Sequence, residues 1–135
     1  MNDKQLTIDR WMTKSARDLR TAKTMIQVDD IPTDIVCFHC QQCAEKSLKA
    51  FLVFVDYDFP KTHDLPKLLQ LCITHDKEFN FLREDADFLA DYAVEIRYVD
   101  DWRDIPIDEA NEALKRSEKF FNFVKRKLSE IKSRQ

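Results

Sequence analysis

Apolar residues recur along much of the chain at alternating steps of three and four, which is the spacing of one face of an α-helix. Residues 7–28 carry the first such stripe and predict a first helix. Pro32 follows, and because proline disfavours helical conformation in the residue before it, this helix is expected to end ahead of Pro32. The stripe comprises Ile8, Met12, Ser15, Leu19, Ala22 and Ile26.

The second predicted helix, residues 33–56, is apolar on more than one face. Thr33 or Asp34 can cap its N-terminus. Apolar residues around most of a helix are typical of a buried element, so we expect this helix to be the most buried of the chain. Pro60 closes the segment.

Three further helices are predicted. A short one follows a possible cap at Thr62 and runs through Cys72, a fourth spans residues 84–98, and a fifth spans residues 108–131. The inward side chains are expected to be Leu65, Leu68 and Leu69 in the short helix, Leu89, Ala93 and Ile96 in the fourth, and Ala110, Leu114, Ser117, Phe121, Val124, Leu128 and Ile131 in the fifth.

Regular stripes with short connections predict an all-α fold, an antiparallel up-and-down four-helix bundle with an additional short helix. The 135 residues suit one domain over 1–135. Glycine is absent, which excludes the glycine-rich phosphate loops of P-loop and dinucleotide-binding proteins. The chain has no long uncharged apolar run, so no membrane contact is expected. The opening residues have no apolar signal core, and we expect a cytoplasmic protein.

The net charge of −3 gives no overall attraction to nucleic acid, but the charges are unevenly placed. Residues 84–112 contain eleven acidic and two basic residues, and residues 115–134 contain eight basic and two acidic ones. These are either two solvated helix faces or a surface for self-association or RNA contact. Since two-fold pairing brings an acidic stretch against a basic one twice, we expect a homodimer.

The stretch CFHCQQC, residues 37–43, places three cysteines at a spacing of three. This stretch lies inside a strongly helical pattern, where the cysteines form a ridge that cannot wrap around an iron–sulfur cluster. The remaining Cys72 and the histidines have no recognisable zinc spacing. We therefore expect core or near-core cysteines, with no metal and no cofactor.

Three segments, CFHCQQCAEKSLKAFL, KTHDLPKLL and AVEIRYVDDWRDIP, occur in this order. Together they resemble the HEPN domain family, whose members include small stand-alone proteins and partners of minimal nucleotidyltransferases. The resemblance covers nearly the whole chain. It implies a helical bundle with a short extra helix, self-association and, in active members, metal-independent ribonuclease activity.

Active members of the family carry an Arg-x4–6-His motif near the end of the fourth helix, in which the arginine holds the scissile phosphate and the histidine transfers protons. Arg97 matches the arginine, but positions 102, 103 and 104 are Trp, Arg and Asp. Histidine is the natural proton shuttle near neutral pH, and none occurs after His75. We therefore assign no catalytic residue.

Arg97 and Tyr98 are candidates for contacts with a nucleotide or RNA. Arg97 either pairs with an acidic neighbour or contacts a phosphate. Tyr98, like Trp102, either packs at a helix end or at a dimer contact, or stacks on a base.

His63, Lys46 and Lys49 complete the candidate set. His63 is either oriented by Asp64 or part of a helix cap. Lys46 and Lys49 form either an anion-binding pocket or a solvated pair, and Lys49 has the spacing for a salt bridge with Glu45.

The sequence and the family resemblance together suggest two alternative functions. The first is a non-catalytic HEPN-type module that binds a nucleotide, RNA or a partner nucleotidyltransferase, in a toxin–antitoxin or substrate-binding role. The second is a metal-independent RNA endonuclease in which His63 or His39 replaces the missing histidine in space. The absence of a histidine after Arg97 favours the first.

Overall fold

The structure is a computed structural model that describes residues 3–93 and 103–133. Every regular element in these residues is helical, as the sequence predicts. The elements are α1 (Asp3–Met25), α2 (Thr33–Phe54), α3 (Leu65–His75), a 3-10 helix (Lys77–Leu82), α4 (Arg83–Ala90) and α5 (Ile107–Ser133).

The relative directions of neighbouring helices follow from side-chain pairs. Lys4 of α1 pairs with Asp56 just after α2, and Ser15 donates to the Cys43 carbonyl, so α1 and α2 are antiparallel. Arg116 pairs with Asp85, and Tyr92 contacts Glu109, so α4 runs antiparallel to α5. These directions give the predicted up-and-down bundle, with α3 as the short extra helix.

Helix α2 lies at the centre of the bundle, because both α1 and α5 pack against it. Its buried residues cover most of its circumference, as the sequence predicts. Phe51 of α2 packs on Phe79 of the 3-10 helix, and Phe79 in turn meets Phe123 of α5 edge-on. Two serine hydroxyls tie the outer helices to α2, since Ser15 and Ser117 donate to the carbonyls of Cys43 and Cys40.

All four cysteines are free and fully buried in this core. The prediction that they serve as small apolar core residues is confirmed. Burial raises the pKa of the Cys37 thiol to about 12 and that of Cys43 to about 11, because a thiolate would be poorly solvated there. Burial raises the pKa of Cys40 and Cys72 as well.

The loop after α2 turns back along the bundle. Asp56 has φ of 58°, and the Tyr57 N–H donates to the Leu52 carbonyl, which closes the last turn of α2. Glycine usually takes such a left-handed position. Aspartate tolerates it better than most residues, and it does so here in a chain without glycine.

The prediction for the fourth helix is wrong at its C-terminal side. Helix α4 ends at Ala90, and the N–H groups of Tyr92 and Ala93 donate three residues back, to Leu89 and Ala90. This turn buries the Tyr92 ring and brings its hydroxyl to Glu109. Residues 94–98 of the prediction lie outside the described residues.

The inward face of α5 also differs in part from the prediction. Phe120 and Phe123 are buried, whereas Leu114, Phe121 and Leu128 are half-buried. Helix α5 therefore has two apolar faces, one in the core and one beside α1.

Two helix caps differ from the predicted ones. Helix α2 begins after Pro32, and neither Thr33 nor Asp34 supplies a side-chain cap there. At α3, Asp64 accepts from the Lys67 N–H, and Thr62 accepts from the N–H of Asp64. In the described part of the chain, no helix is both long and apolar enough to span a bilayer.

Candidate functional site

A cleft of about 830 Å³ opens between the start of α1, the end of α2 and the loop that follows α2. Two aromatic side chains, Trp11 and Phe59, meet edge-on in its wall with ring centroids 6.4 Å apart. Its charged lining comprises Lys4, Lys49, Asp56, Asp58, Lys61 and His63. The cleft thus combines apolar ring surfaces with three lysines, of which Lys4 pairs with Asp56 and Lys49 with Glu45.

His63 projects into this cleft from the loop, and a buried carboxylate orients it. Its Nδ1 lies 3.0 Å from Oε1 of Glu45, and its side chain is 69% exposed whereas that of Glu45 is 2% exposed. Because a carboxylate only accepts, Nδ1 carries the proton of this hydrogen bond. The other ring nitrogen, Nε2, remains for a ligand.

Lys49 neutralises the same carboxylate from the other side. Its Nζ lies 2.8 Å from Oε2 of Glu45, so the predicted salt bridge at a spacing of four is confirmed. The ammonium group also lies 5.3 Å from the ring centroid of Trp11 and 6.0 Å from that of Phe59. These contacts hold Lys49 in place beneath the cleft and stabilise its charge.

The loop that carries His63 is held at both ends. The Gln41 side-chain amide, on α2, donates to the His63 carbonyl at 3.3 Å and to Glu45 at 3.2 Å. On the other side, Asp64 caps α3. Fixed neighbours of this kind give the imidazole a defined orientation before a ligand arrives.

Lys46 belongs to a different cluster. Its Nζ lies 2.6 Å from Oδ2 of Asp18, and Nδ1 of His39 lies 2.9 Å from Oδ1 of the same aspartate. His39 is therefore a hydrogen-bonded, half-buried histidine. Lys46 and Lys49 have separate carboxylate partners and do not share a pocket, which leaves Lys49 with His63.

A third polar cluster lies near the start of α5. The Arg103 guanidinium binds both carboxylate oxygens of Glu109, and the Tyr92 hydroxyl donates to the same carboxylate. Arg103 lowers the pKa of Glu109 through these hydrogen bonds, against an opposing effect of desolvation. Burial, followed by the hydrogen bond to Glu109, raises the pKa of Tyr92. The three side chains hydrogen-bond one another, and these bonds link the turn after α4 to the start of α5.

The sequence candidates are thus divided. His63 and Lys49 meet at the cleft, and Lys46 lies with Asp18 and His39. Arg97 and Tyr98 fall outside the described residues. Among the residues that the structure describes, no group of three or more histidine, cysteine or acidic side chains could hold a metal ion.

Trp11, Phe59, Gln41 and the burial of Glu45 were missed by the sequence reasoning. Two signals could have found them. Trp11 is a large apolar residue outside the α1 stripe, and Gln41, Glu45 and Lys49 are polar residues one turn apart on the helix predicted to be most buried. Buried polar side chains need partners, so such a row indicates a partner on another element.

The HEPN domain family model matches residues 8–127. The chain belongs to the HEPN domain family. TT1696 from Thermus thermophilus has a similar solved structure, with 26% identity, a TM-score of 0.70, and coverage of 89% of this chain and 97% of that chain. The predicted family and the predicted fold are confirmed.

A second similar structure is ST0689, described as an archaeal HEPN homologue. It is 24% identical with a TM-score of 0.70, and the match covers 89% of this chain and 96% of that one. At this identity the likeness shows the HEPN fold alone. No curated protein matches the chain.

Proposed function

We propose that this HEPN protein is a binding module that holds a nucleotide, or a nucleotide of an RNA chain, in the cleft beside His63. The observation that carries the proposal is that one opening is lined both by two aromatic rings, Trp11 and Phe59, and by a histidine, His63, that a buried carboxylate orients. The volume of the cleft lies within the range that small-molecule sites usually occupy.

The aromatic side chains supply the contact for a base. Every base has a π-face, so stacking on an exposed aromatic ring is tolerant of base identity and contributes about 1–3 kcal/mol per base. The edge-on contact of Trp11 with Phe59 leaves no gap for a base between the two rings. The base therefore lies against the outer face of Trp11 or Phe59.

Lys61 and His63 supply the contacts for phosphate. Lys61 is exposed, and no carboxylate partner of Lys61 occurs among the described residues. A protonated His63 donates from Nε2 to a phosphate oxygen while Glu45 holds its Nδ1. Charge-assisted hydrogen bonds of this type are shorter and stronger than neutral ones.

Calorimetric titration of the purified protein with AMP, ATP and adenosine tests the proposal. AMP and ATP should bind more tightly than adenosine, because only the nucleotides carry phosphate for Lys61 and His63. His63→Ala should weaken nucleotide binding about tenfold and leave adenosine binding nearly unchanged. His39→Ala is the matched control, since His39 hydrogen-bonds Asp18 away from the cleft.

A metal-independent RNA endonuclease is the second candidate, and the hydrogen bond between His63 and Glu45 favours it. In that reaction Nε2 of His63 takes the proton of a ribose 2′-hydroxyl. The 2′-oxygen attacks the adjacent phosphorus and displaces the 5′-oxygen, which is protonated by solvent. The products are a 2′,3′-cyclic phosphate and a free 5′-hydroxyl.

A fluorescent RNA oligonucleotide incubated without added metal separates the two candidates. The binding module leaves it intact in wild-type protein and in His63→Ala. Cleavage by the wild type that is lost in both His63→Ala and Glu45→Gln, but kept in His39→Ala, would establish the endonuclease instead.

We also propose that the module acts as a homodimer and pairs with a nucleotidyltransferase. Support comes from the uneven charge of residues 84–112 and 115–134 and from the family resemblance. Light scattering tests the first part, with a dimer mass expected at low salt. Co-expression with a nucleotidyltransferase encoded beside this chain tests the second.

A further inference from the structure

A long groove runs between α1 and α5, apart from the cleft beside His63. It exists because both helices pack on α2 and make few contacts with each other. One part of the groove has a volume of about 440 Å³, and a second depression of about 470 Å³ adjoins it, since Ala16 and Phe121 line both. The small Ala16 side chain and Phe121 therefore mark the place where the two parts meet.

The floor of this groove is apolar. Helix α1 contributes Ile8 and Met12, α5 contributes Phe121 and Leu128, and Phe54 of α2 lies at one end. Phe121 and Leu128 lie seven residues apart on the half-buried face of α5. Phe120 and Phe123 lie on the other apolar face of α5, which packs into the core. An apolar face that the bundle leaves partly uncovered is a common mark of a binding surface.

The length of the groove suits a helix. Its lining residues on α1 run from Gln5 to Thr24. At 1.5 Å per residue this span is about 29 Å, close to the length of a helix of about 20 residues. A furrow between two neighbouring helices accepts the apolar face of an amphipathic helix, with anchors one turn apart.

Basic side chains dominate the edges of the groove. Arg20, Lys23 and Lys125 line it, although Lys23 already pairs with Glu118 of α5 at 3.5 Å, and Asp9 is the acidic side chain among the lining residues. The groove edges are therefore basic, although the chain as a whole has a net charge of −3. The occupant with complementary charge is therefore acidic.

We propose that the groove between α1 and α5 binds an amphipathic helix of a partner protein, with an apolar face on Phe121 and acidic flanks beside Arg20 and Lys125. A second copy of this chain fits less well. Its described acidic helix, α4, already buries its apolar residues Ala86 and Leu89. The proposal goes beyond nucleotide binding and does not depend on it.

A designed peptide provides the probe. It has about 20 residues, one leucine face and glutamate flanks, and it is compared with a peptide that has the same leucine face and lysine flanks. Fluorescence anisotropy with the full chain should show saturable binding of the glutamate peptide and at least about tenfold weaker binding of the lysine peptide, because like charges meet at the groove edges.

Two substitutions with matched controls locate the binding. Ala16→Tyr fills the groove, and Ala90→Tyr places the same side chain at the end of α4, away from it. Lys125→Glu reverses a groove charge, and Lys115→Glu reverses an exposed charge elsewhere on α5. Circular dichroism and thermal melting confirm that each variant is folded before its affinity is compared.

Ala16→Tyr should weaken the glutamate peptide about tenfold or more, and Lys125→Glu about threefold or more at low salt, with both controls near wild type. Equal affinity for the two peptides, or equal loss in Lys125→Glu and Lys115→Glu, overturns the proposal. Dissociation of a wild-type dimer into monomers by Ala16→Tyr, but not by Ala90→Tyr, also overturns it, because the occupant is then a second copy.

Discussion

The exposed ring of His63 is fixed by the buried carboxylate of Glu45, although 18 residues separate them in the chain. The carboxylate accepts from Nδ1 at 3.0 Å. One helical turn further along α2, Lys49 compensates its charge. Glu45 therefore has two functions, since it stabilises a nearly buried lysine and orients a histidine at the surface.

The first prediction concerns stability. Glu45→Gln leaves Lys49, whose side chain is 9% exposed, without its counter-charge. The free energy of unfolding should fall by about 2–3 kcal/mol. This loss is smaller than is usual when one partner of a buried ion pair is removed, because Lys49 keeps its contacts with Trp11 and Phe59. Urea denaturation of wild type and variant measures this difference.

Glu130→Gln is the control for that measurement. Glu130 forms an exposed pair with Arg126 at the same spacing of four, so its loss should change the free energy of unfolding by no more than about 0.5 kcal/mol. Similar values for Glu45→Gln and Glu130→Gln would contradict the view that the buried pair contributes strongly.

The second prediction concerns acid pH. The folded protein holds the pKa of Glu109 below its ordinary value of 4.5, chiefly through Arg103. The ionised Glu109 therefore stabilises the fold above the ordinary value, and this contribution is lost as pH falls through the lowered one. We expect Glu109→Gln to lower the free energy of unfolding by about 1 kcal/mol at neutral pH, and by progressively less as the pH becomes more acidic. A constant difference across the acid range, measured by urea denaturation, would rule out this linkage.

The third prediction concerns the cysteines. Because their thiols are buried and their pKa values are raised, none of the four should react with iodoacetamide in the native protein at mildly alkaline pH, and all four should react in guanidinium. Mass spectrometry counts the added groups. Labelling of Cys37 or Cys43 without unfolding would show that the core opens locally.

The same thiols predict alkaline destabilisation. An unfolded thiol releases its proton near its ordinary value of 9.0, whereas folded Cys43 has a pKa of about 11. The contribution to folding is fully present below pH 9 and is lost as pH rises toward that folded value. The free energy of unfolding should therefore fall steadily over this interval.

Helix periodicity predicted the long elements well because each long helix buries a regular face. It extended the fourth helix too far, since the apolar residues after Ala90 continue the spacing. The helix ends there because the Tyr92 ring turns into the core and its hydroxyl reaches Glu109 on α5. Such a contact depends on tertiary packing, which local spacing does not contain.

The site was predicted only in part, for a related reason. The pair Glu45 and Lys49 lies on one helix, so the spacing of four shows it directly. The contacts of His63 with Glu45 and of Trp11 with Phe59 join separate elements, and only the return of the loop after Asp56 brings them together. The two-faced character of α5 was hidden because Phe120, Phe121, Phe123 and Val124 are consecutive or nearly so.

Calorimetric titration with AMP of the wild type, Trp11→Leu, His63→Ala and His39→Ala tests whether the cleft binds a nucleotide. Trp11→Leu and His63→Ala should each weaken AMP binding about tenfold, through the lost base contact and the lost phosphate contact, and His39→Ala should match the wild type. An AMP affinity that is unchanged in both Trp11→Leu and His63→Ala, or no binding by the wild type up to millimolar AMP and ATP, would show that this cleft is not a nucleotide site.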